Sequence, residues 1–209
     1  MHIYAFGSIC RGDISVDSDV DLLALVEGRD SRLDPEKFSI YSYARIIELW
    51  EAGNAFAWHL SLESRLIYAA DGADVLKSLG SPSKYLGAVA DCLKFRDIFE
   101  SSFRSVQKGT PSLVFELSTI FLALRNVATC YSLSRTDSPA FGRDSARSLG
   151  PRSLDIDENV YSLLMQARLL STRGAGESIG DIDLAILLPE LKRCRSWIDE
   201  LCHEVKLNG

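Results

Sequence analysis

The strongest constraint on this chain lies in the order of its first 26 residues. An apolar run, Ile3–Phe6, stops at Gly7-Ser8, and ten residues later Asp19-Val20-Asp21 leads into a second apolar run that ends at Val26. Short apolar runs bounded by turn formers read as buried strands. If the two strands pair, Gly7-Ser8 comes to lie beside Asp19 and Asp21. Glycine lets backbone N–H groups approach a phosphate with no Cβ in the way, and Ser8 adds a hydroxyl donor. Asp19 and Asp21 are two apart on a strand, so they project from one face. Two carboxylates on one face, opposite a phosphate cradle, supply hard oxygen ligands for Mg²⁺ and leave positions open for substrate oxygens. Arg11, in the intervening segment, is placed to steady the charge of a triphosphate.

The pattern beyond this segment changes near residue 81. Up to that point strand-like and helical runs alternate. Phe38–Tyr43 interleaves Phe, Ile and Tyr with Ser and reads as a third strand. Ala44–Ala52 has helical spacing and stops at Gly53-Asn54, Ala55–Glu63 reads as a further short helix, and Arg65–Ala69 as a fourth strand before Asp71-Gly72. Leu79–Ser83 reads as a linker. Four helices follow: Tyr85–Val106, Leu113–Leu133, Glu158–Ser171 and Asp183–Val205. The second, with Phe115, Leu117, Ile120, Phe121, Leu124, Val127 and Ala128, is apolar enough to be buried on several sides as the centre of a bundle. The expected class is α+β, a small mixed sheet over residues 1–82 followed by an all-α bundle over residues 83–209.

Composition narrows the function classes. Apolar residues are 46% and charged residues 25% of the chain, the balance of a globular domain. No run reaches the eighteen or so uninterrupted apolar residues of a membrane span, so no membrane partner is expected. The net charge of −6 argues against a broad, stable nucleic-acid footprint, which needs a clustered basic face. Cys10, Cys92, Cys130, Cys194 and Cys202 are scattered and form no C-x-x-C pair, so reduced thiols in a cytoplasmic protein are expected.

The segment from Phe6 to Val26 resembles the polymerase-β-type nucleotidyltransferase superfamily, whose signature is Gly-Ser, about ten residues, then Asp-x-Asp. Arg11-Gly12 and Asp17-Ser18-Asp19-Val20-Asp21 also look like its minimal members. The resemblance implies transfer of a nucleoside monophosphate, most plausibly AMP, from an NTP to a hydroxyl on a protein or small molecule. Asp19 and Asp21 would hold Mg²⁺, and Gly7, Ser8 and Arg11 would contact the nucleotide. One departure stands out. Active members carry a third carboxylate on a later strand, and Ser39 occupies its expected place here. Glu36, Glu48 and Glu63 are then the candidates to complete the site. Otherwise the nucleophile needs little activation, or the domain is a catalytically lapsed module that binds a nucleotide or a protein without transfer.

Three further features carry alternatives. His59 reads as a packed helix residue, a base or a phosphate contact, and Glu63, four residues on, shares its helical face. Arg125-Asn126 in the apolar helix reads as a structural pair that meets an acid or backbone carbonyls, or resembles HEPN-type helical domains, but Cys130 stands where their histidine would fall, so ribonuclease activity through that motif is not expected. Arg143-Asp144 reads as a loop that closes over the nucleotide, and His203 as a solvated helix residue. The expected partners are an NTP and an unidentified acceptor, with a homodimer left open.

Overall fold

The computed structural model describes residues 1–12, 20–174, 179 and 182–207. The chain folds as two compact units, Met1–Leu86 and Gly87–Gly209.

The first unit is a four-stranded mixed sheet in the order β3-β2-β1-β4. Its strands are β1 (His2–Phe6), β2 (Asp21–Val26), β3 (Phe38–Ser42) and β4 (Ser64–Ala69). β1 runs antiparallel to both β2 and β4, while β2 and β3 are parallel. The helices are α1 (Ser8–Arg11), α2 (Tyr43–Glu51), α3 (Ala55–Glu63) and α4 (Val75–Ser78). Three of them begin where a short polar side chain accepts a first-turn N–H: Ser42 from Arg45, Asn54 from Phe56, and Asp74 from Lys77.

Strand alternation sorts the apolar side chains onto two faces. Tyr4, Phe6, Leu23 and Leu25 meet Ile46, Leu49 and Trp50 of α2, Ala57 and Leu60 of α3, and Leu76 of α4. Ala24 and Val26 face the other way, against Leu33, Met1 and Phe38. Each fully buried Leu, Ile or Phe contributes about 1.5–3 kcal/mol, so the register is fixed by burial on both faces. The start of β1 is tied down separately. Buried His2 shares a hydrogen bond with the Tyr43 hydroxyl at 2.8 Å through Nδ1 and one with Asp71 at 2.9 Å through Nε2.

The stretch read as a linker packs back on this unit. Trp50 donates to the Gly80 carbonyl, Trp58 donates to the Ser83 carbonyl, and Tyr85 is buried. Gly53, at φ +60°, is required there because a Cβ would stand 2.4 Å from the carbonyl oxygens of Ser83 and Lys84.

The second unit is helical: α5 (Ala88–Gln107), α6 (Leu113–Arg135), α7 (Glu158–Arg173) and α8 (Leu184–Leu207). α6 packs against all three of the others, and Leu117, Ile120, Ala123, Leu124, Val127 and Ala128 on it are fully buried. By length and composition α6 is also long and apolar enough to cross a membrane. The apolar reading went too far at Phe115, which is 60% exposed in the first turn of α6, before the helix enters the core. The segment between α6 and α7 is stitched to α6: the Thr129 hydroxyl donates to the Ala140 carbonyl and the Ser145 hydroxyl to the Arg125 carbonyl.

Candidate functional site

β1 and β2 meet with Phe6 directly opposite Asp21, so Gly7 follows the strand just beside the Asp21 carboxylate. Gly7 adopts φ +75° and ψ −140°, a backbone region almost confined to glycine. A Cβ there would lie 2.7 Å from Asp21 Oδ2. Glycine is therefore needed twice, for the turn and for the close approach of the carboxylate. The Gly7 N–H donates to the Glu63 carbonyl at 3.2 Å, continuing the β1–β4 ladder. The Gly7 carbonyl accepts from the Cys10 N–H at 3.0 Å, closing the first turn of α1. Gly7 thus contributes space, its N–H being committed to Glu63, and Ser8 is half-buried at the start of α1. Asp19, the other expected metal ligand, lies outside the described residues.

Register places Ser39 relative to Asp21. Ser39 pairs with Leu23 and Tyr41 with Leu25, so Ser39 shares the face that carries Asp21, Leu23 and Leu25. Asp21 and Ser39 line one cleft of about 450 Å³ with Val20, Leu22, Pro35, Glu36, Lys37 and Phe38. A third carboxylate at position 39 would face the same volume as Asp21, and the chain supplies a hydroxyl instead. The three acids considered as substitutes have separate fates. Glu36 is exposed and lines the cleft. Glu48 pairs with Arg45 at 2.9 Å on the surface of α2. Glu63 is held in an ion-pair cluster.

In that cluster Glu63 Oε2 accepts from Arg11 Nη1 and pairs with His59 Nε2 at 2.9 Å. The Glu63 side chain is 12% exposed, Arg11 22% and His59 20%, so the pairs are shielded from water far more than surface ion pairs are. His59 lies edge-on to Phe6, with ring centroids 5.6 Å apart, and also contacts Phe56. Arg11, expected at the triphosphate, is therefore docked on the corner between α3 and β4. The i, i+4 pairing of His59 with Glu63 follows from their shared helical face; the third member, 52 residues away, has no sequence signal that would have found it. Nearby, burial pushes the Cys10 thiol up from its ordinary value, and its Sγ donates to the Ala5 carbonyl at 3.4 Å.

The remaining sequence candidates belong to the helical unit. Arg125 and Asn126 are half-buried on α6, and Cys130 is buried. Arg143 gives its carbonyl to the Tyr161 hydroxyl at 2.8 Å, and His203 is exposed on α8. Among the described residues no three His, Cys, Asp or Glu side chains converge as a ready metal site. All five cysteines are free thiols.

Residues 2–78 match the family model of the nucleotidyltransferase domain, which covers the sheet and its helices and stops before α5. A search among curated proteins found no match.

Proposed function

From the premise that residues 2–78 form a nucleotidyltransferase domain, whose substrate is an NTP, we propose that the protein moves an NMP, AMP by preference, to a hydroxyl of a protein or small-molecule acceptor. The observation that carries this reading is Gly7 pressed against Asp21 at the meeting of β1 and β2, beside an open cleft. Only glycine fits that turn, and the space it leaves lies beside the Asp21 carboxylate.

The donor set fits a hard divalent cation. Asp21 is exposed at the start of β2, and the sequence expectation pairs Asp19 with it as a second hard oxygen donor. Asp21 and Asp19 would hold Mg²⁺, which when bound neutralises charge on the triphosphate. Ser8 donates to the phosphates, Arg11 exchanges its contact with Glu63 for the triphosphate, and Gly7 keeps the approach clear. The acceptor oxygen forms a bond to the α-phosphorus as the bond to the bridging oxygen breaks and pyrophosphate leaves. Positioning and electrostatics do most of this work. Catalysis is assigned to residues 1–82 and acceptor choice to the bundle of residues 83–209, in a cytoplasmic protein whose thiols stay reduced.

Ser39 favours a second reading, a lapsed module that binds a nucleotide or a protein partner without transfer, because it places a hydroxyl on the face where a third carboxylate belongs. Incubation with Mg²⁺, each α-labelled NTP, and a panel of protein and small-molecule acceptors separates the two. Transfer with pyrophosphate release, abolished by Asp19→Ala and by Asp21→Ala, supports the enzyme. Saturable binding without turnover supports the module.

A further inference from the structure

We propose that the acceptor is a protein segment in extended conformation, which adds to the free edge of β3 and so brings a serine, threonine or tyrosine hydroxyl into the Asp21–Ser39 cleft. This rests on the transferase reading above and narrows its acceptor to one class. The sheet has two edge strands, β3 and β4. β4 carries the devices that keep other chains off an edge: Arg65 stands in the strand, and its register with β1 shifts at a bulge between Ile3 and Tyr4. β3 carries neither. Its sequence, Phe38-Ser39-Ile40-Tyr41-Ser42, holds no charge, glycine or proline, and it pairs with β2 from Phe38 to Ser42 without a break in register. Among the described residues no strand pairs with its other side. Ser39, Ile40 and Ser42 are exposed. Such an edge presents backbone N–H and C=O groups that an added strand satisfies.

The edge runs directly into the proposed site. Lys37, Phe38 and Ser39 line the cleft that holds Asp21, so the start of β3 belongs both to the cleft and to the open edge. A strand added to β3 lies about 4.7–4.9 Å from it, and its side chains alternate between the two faces of the sheet. A side chain opposite Ser39 stands on the face of Asp21, because Ser39 pairs with Leu23, two residues along from Asp21. Its hydroxyl is then directed at the cleft. The next residue of the segment stands opposite Ile40, on the other face. Ile40 pairs there with buried Ala24 but keeps 37% of its own surface exposed. An apolar side chain at that place removes Ile40 from water, and a small molecule held in the cleft leaves both Ile40 and the strand edge uncovered. The acceptor is thus a hydroxyl residue with an apolar residue directly beside it in sequence. Its oxygen bonds to the α-phosphorus, its proton passes to solvent, and pyrophosphate leaves with the electrons of the broken P–O bond. The helical bundle then selects the protein, and β3 selects the segment within it.

The test uses the full chain, Mg²⁺ and the α-labelled NTP that gives turnover, with a library of unstructured synthetic peptides that each carry one Ser, Thr or Tyr. Labelling is expected in peptides with an apolar residue next to the hydroxyl residue. Methylation of the peptide amides, one at a time, is expected to show a period of two. Alternate positions lose roughly tenfold or more in kcat/KM and those between them lose little, because only alternate N–H groups of an added strand face β3. Ile40→Lys is expected to shift the preferred neighbour from apolar to acidic, since opposite charges pair across strands. Its melting temperature and its affinity for Mg²⁺ with a non-hydrolysable NTP are expected to stay as in the wild type, and Ile67→Lys on β4 is expected to leave the preference as it was. Uniform tolerance of amide methylation overturns the proposal, and so does an unchanged neighbour preference in folded Ile40→Lys. Transfer to small molecules with no peptide or protein labelled overturns it and leaves the transferase reading standing. Absence of turnover in the wild-type chain with every NTP and acceptor overturns both.

Discussion

Gly7→Ala separates the backbone cost of a side chain at this turn from its effect on the proposed site. Gly7 and Gly72 share φ +75°, but a Cβ at Gly7 meets Asp21 Oδ2 at 2.7 Å, whereas one at Gly72 meets nothing within 4 Å. Gly72→Ala is therefore a control for a side chain at positive φ that meets no neighbour. A positive φ costs an L-residue at least about 1–2 kcal/mol, and Gly7→Ala is expected to lose more, because ψ −140° lies outside the left-handed helical well. For a unit of this size each kcal/mol lowers the melting temperature by about 4–8 °C. The overlap at Gly7 is with the end of a flexible side chain, so it is relieved by rotating the carboxylate of Asp21 and adds little to the loss of stability. That rotation moves the oxygen expected to bind the metal. Gly7→Ala is thus expected to weaken binding of an ATP analogue with Mg²⁺ by tenfold or more, about 1.4 kcal/mol, while Gly72→Ala binds as the wild type does. Calorimetric titration and melting curves on the three proteins read both quantities. Equal nucleotide affinity in Gly7→Ala and Gly72→Ala would refute the reasoning, because the Asp21 carboxylate would then have no part in the site.

Ser39→Asp places a second charge on the face of Asp21; melting curves with and without Mg²⁺ are expected to show a larger metal-dependent rise than in the wild type, and Ser39→Ala no such gain. Burial pushes the Tyr4 hydroxyl up to about 12 from 10.0, with Asp74 beside it adding to the shift. Because the folded value is raised, its contribution is complete below pH 10 and is lost as pH rises through about 12, so Tyr4→Phe should flatten the alkaline limb of a stability–pH curve. The same variant loses the Leu76 N–H partner and should be less stable at neutral pH by about 1 kcal/mol. In the helical unit, Leu124→Ala at the fully buried centre of α6 is expected to cost about 2–5 kcal/mol in denaturant unfolding, and a cost under 1 kcal/mol would mean that the bundle is not closed around α6.

The parts of the fold that could be read from the sequence are those whose signal is local. β1, β2 and the four long helices announce themselves by runs or by 3.6-residue spacing, and α3 lies over the expected residues because Asn54 caps its start. α1 and α4, of four residues each, leave no periodic trace. Leu79–Ser83 carries turn chemistry, but the indoles of Trp50 and Trp58, which hold Gly80 and Ser83, lie too far back in the chain for any window to connect them. The candidate site divides in the same way. Gly7, Ser8 and Asp21 were legible because one short motif holds them together. Ser39 was placed in the sequence only through the family resemblance; its position opposite Leu23, two residues along the face of Asp21, depends on a parallel register that no local pattern encodes. The capture of Arg11 by Glu63 depends on the meeting of α1 with the α3–β4 corner.

The most direct measurement is a structure of the chain soaked with Mg²⁺ and a non-hydrolysable NTP. The account predicts the metal on a carboxylate oxygen of Asp21, the phosphates against Ser8 and the Gly7 turn, and the α-phosphate facing the cleft beside Ser39. A nucleotide bound elsewhere, or a metal that makes no contact with Asp21, would contradict it.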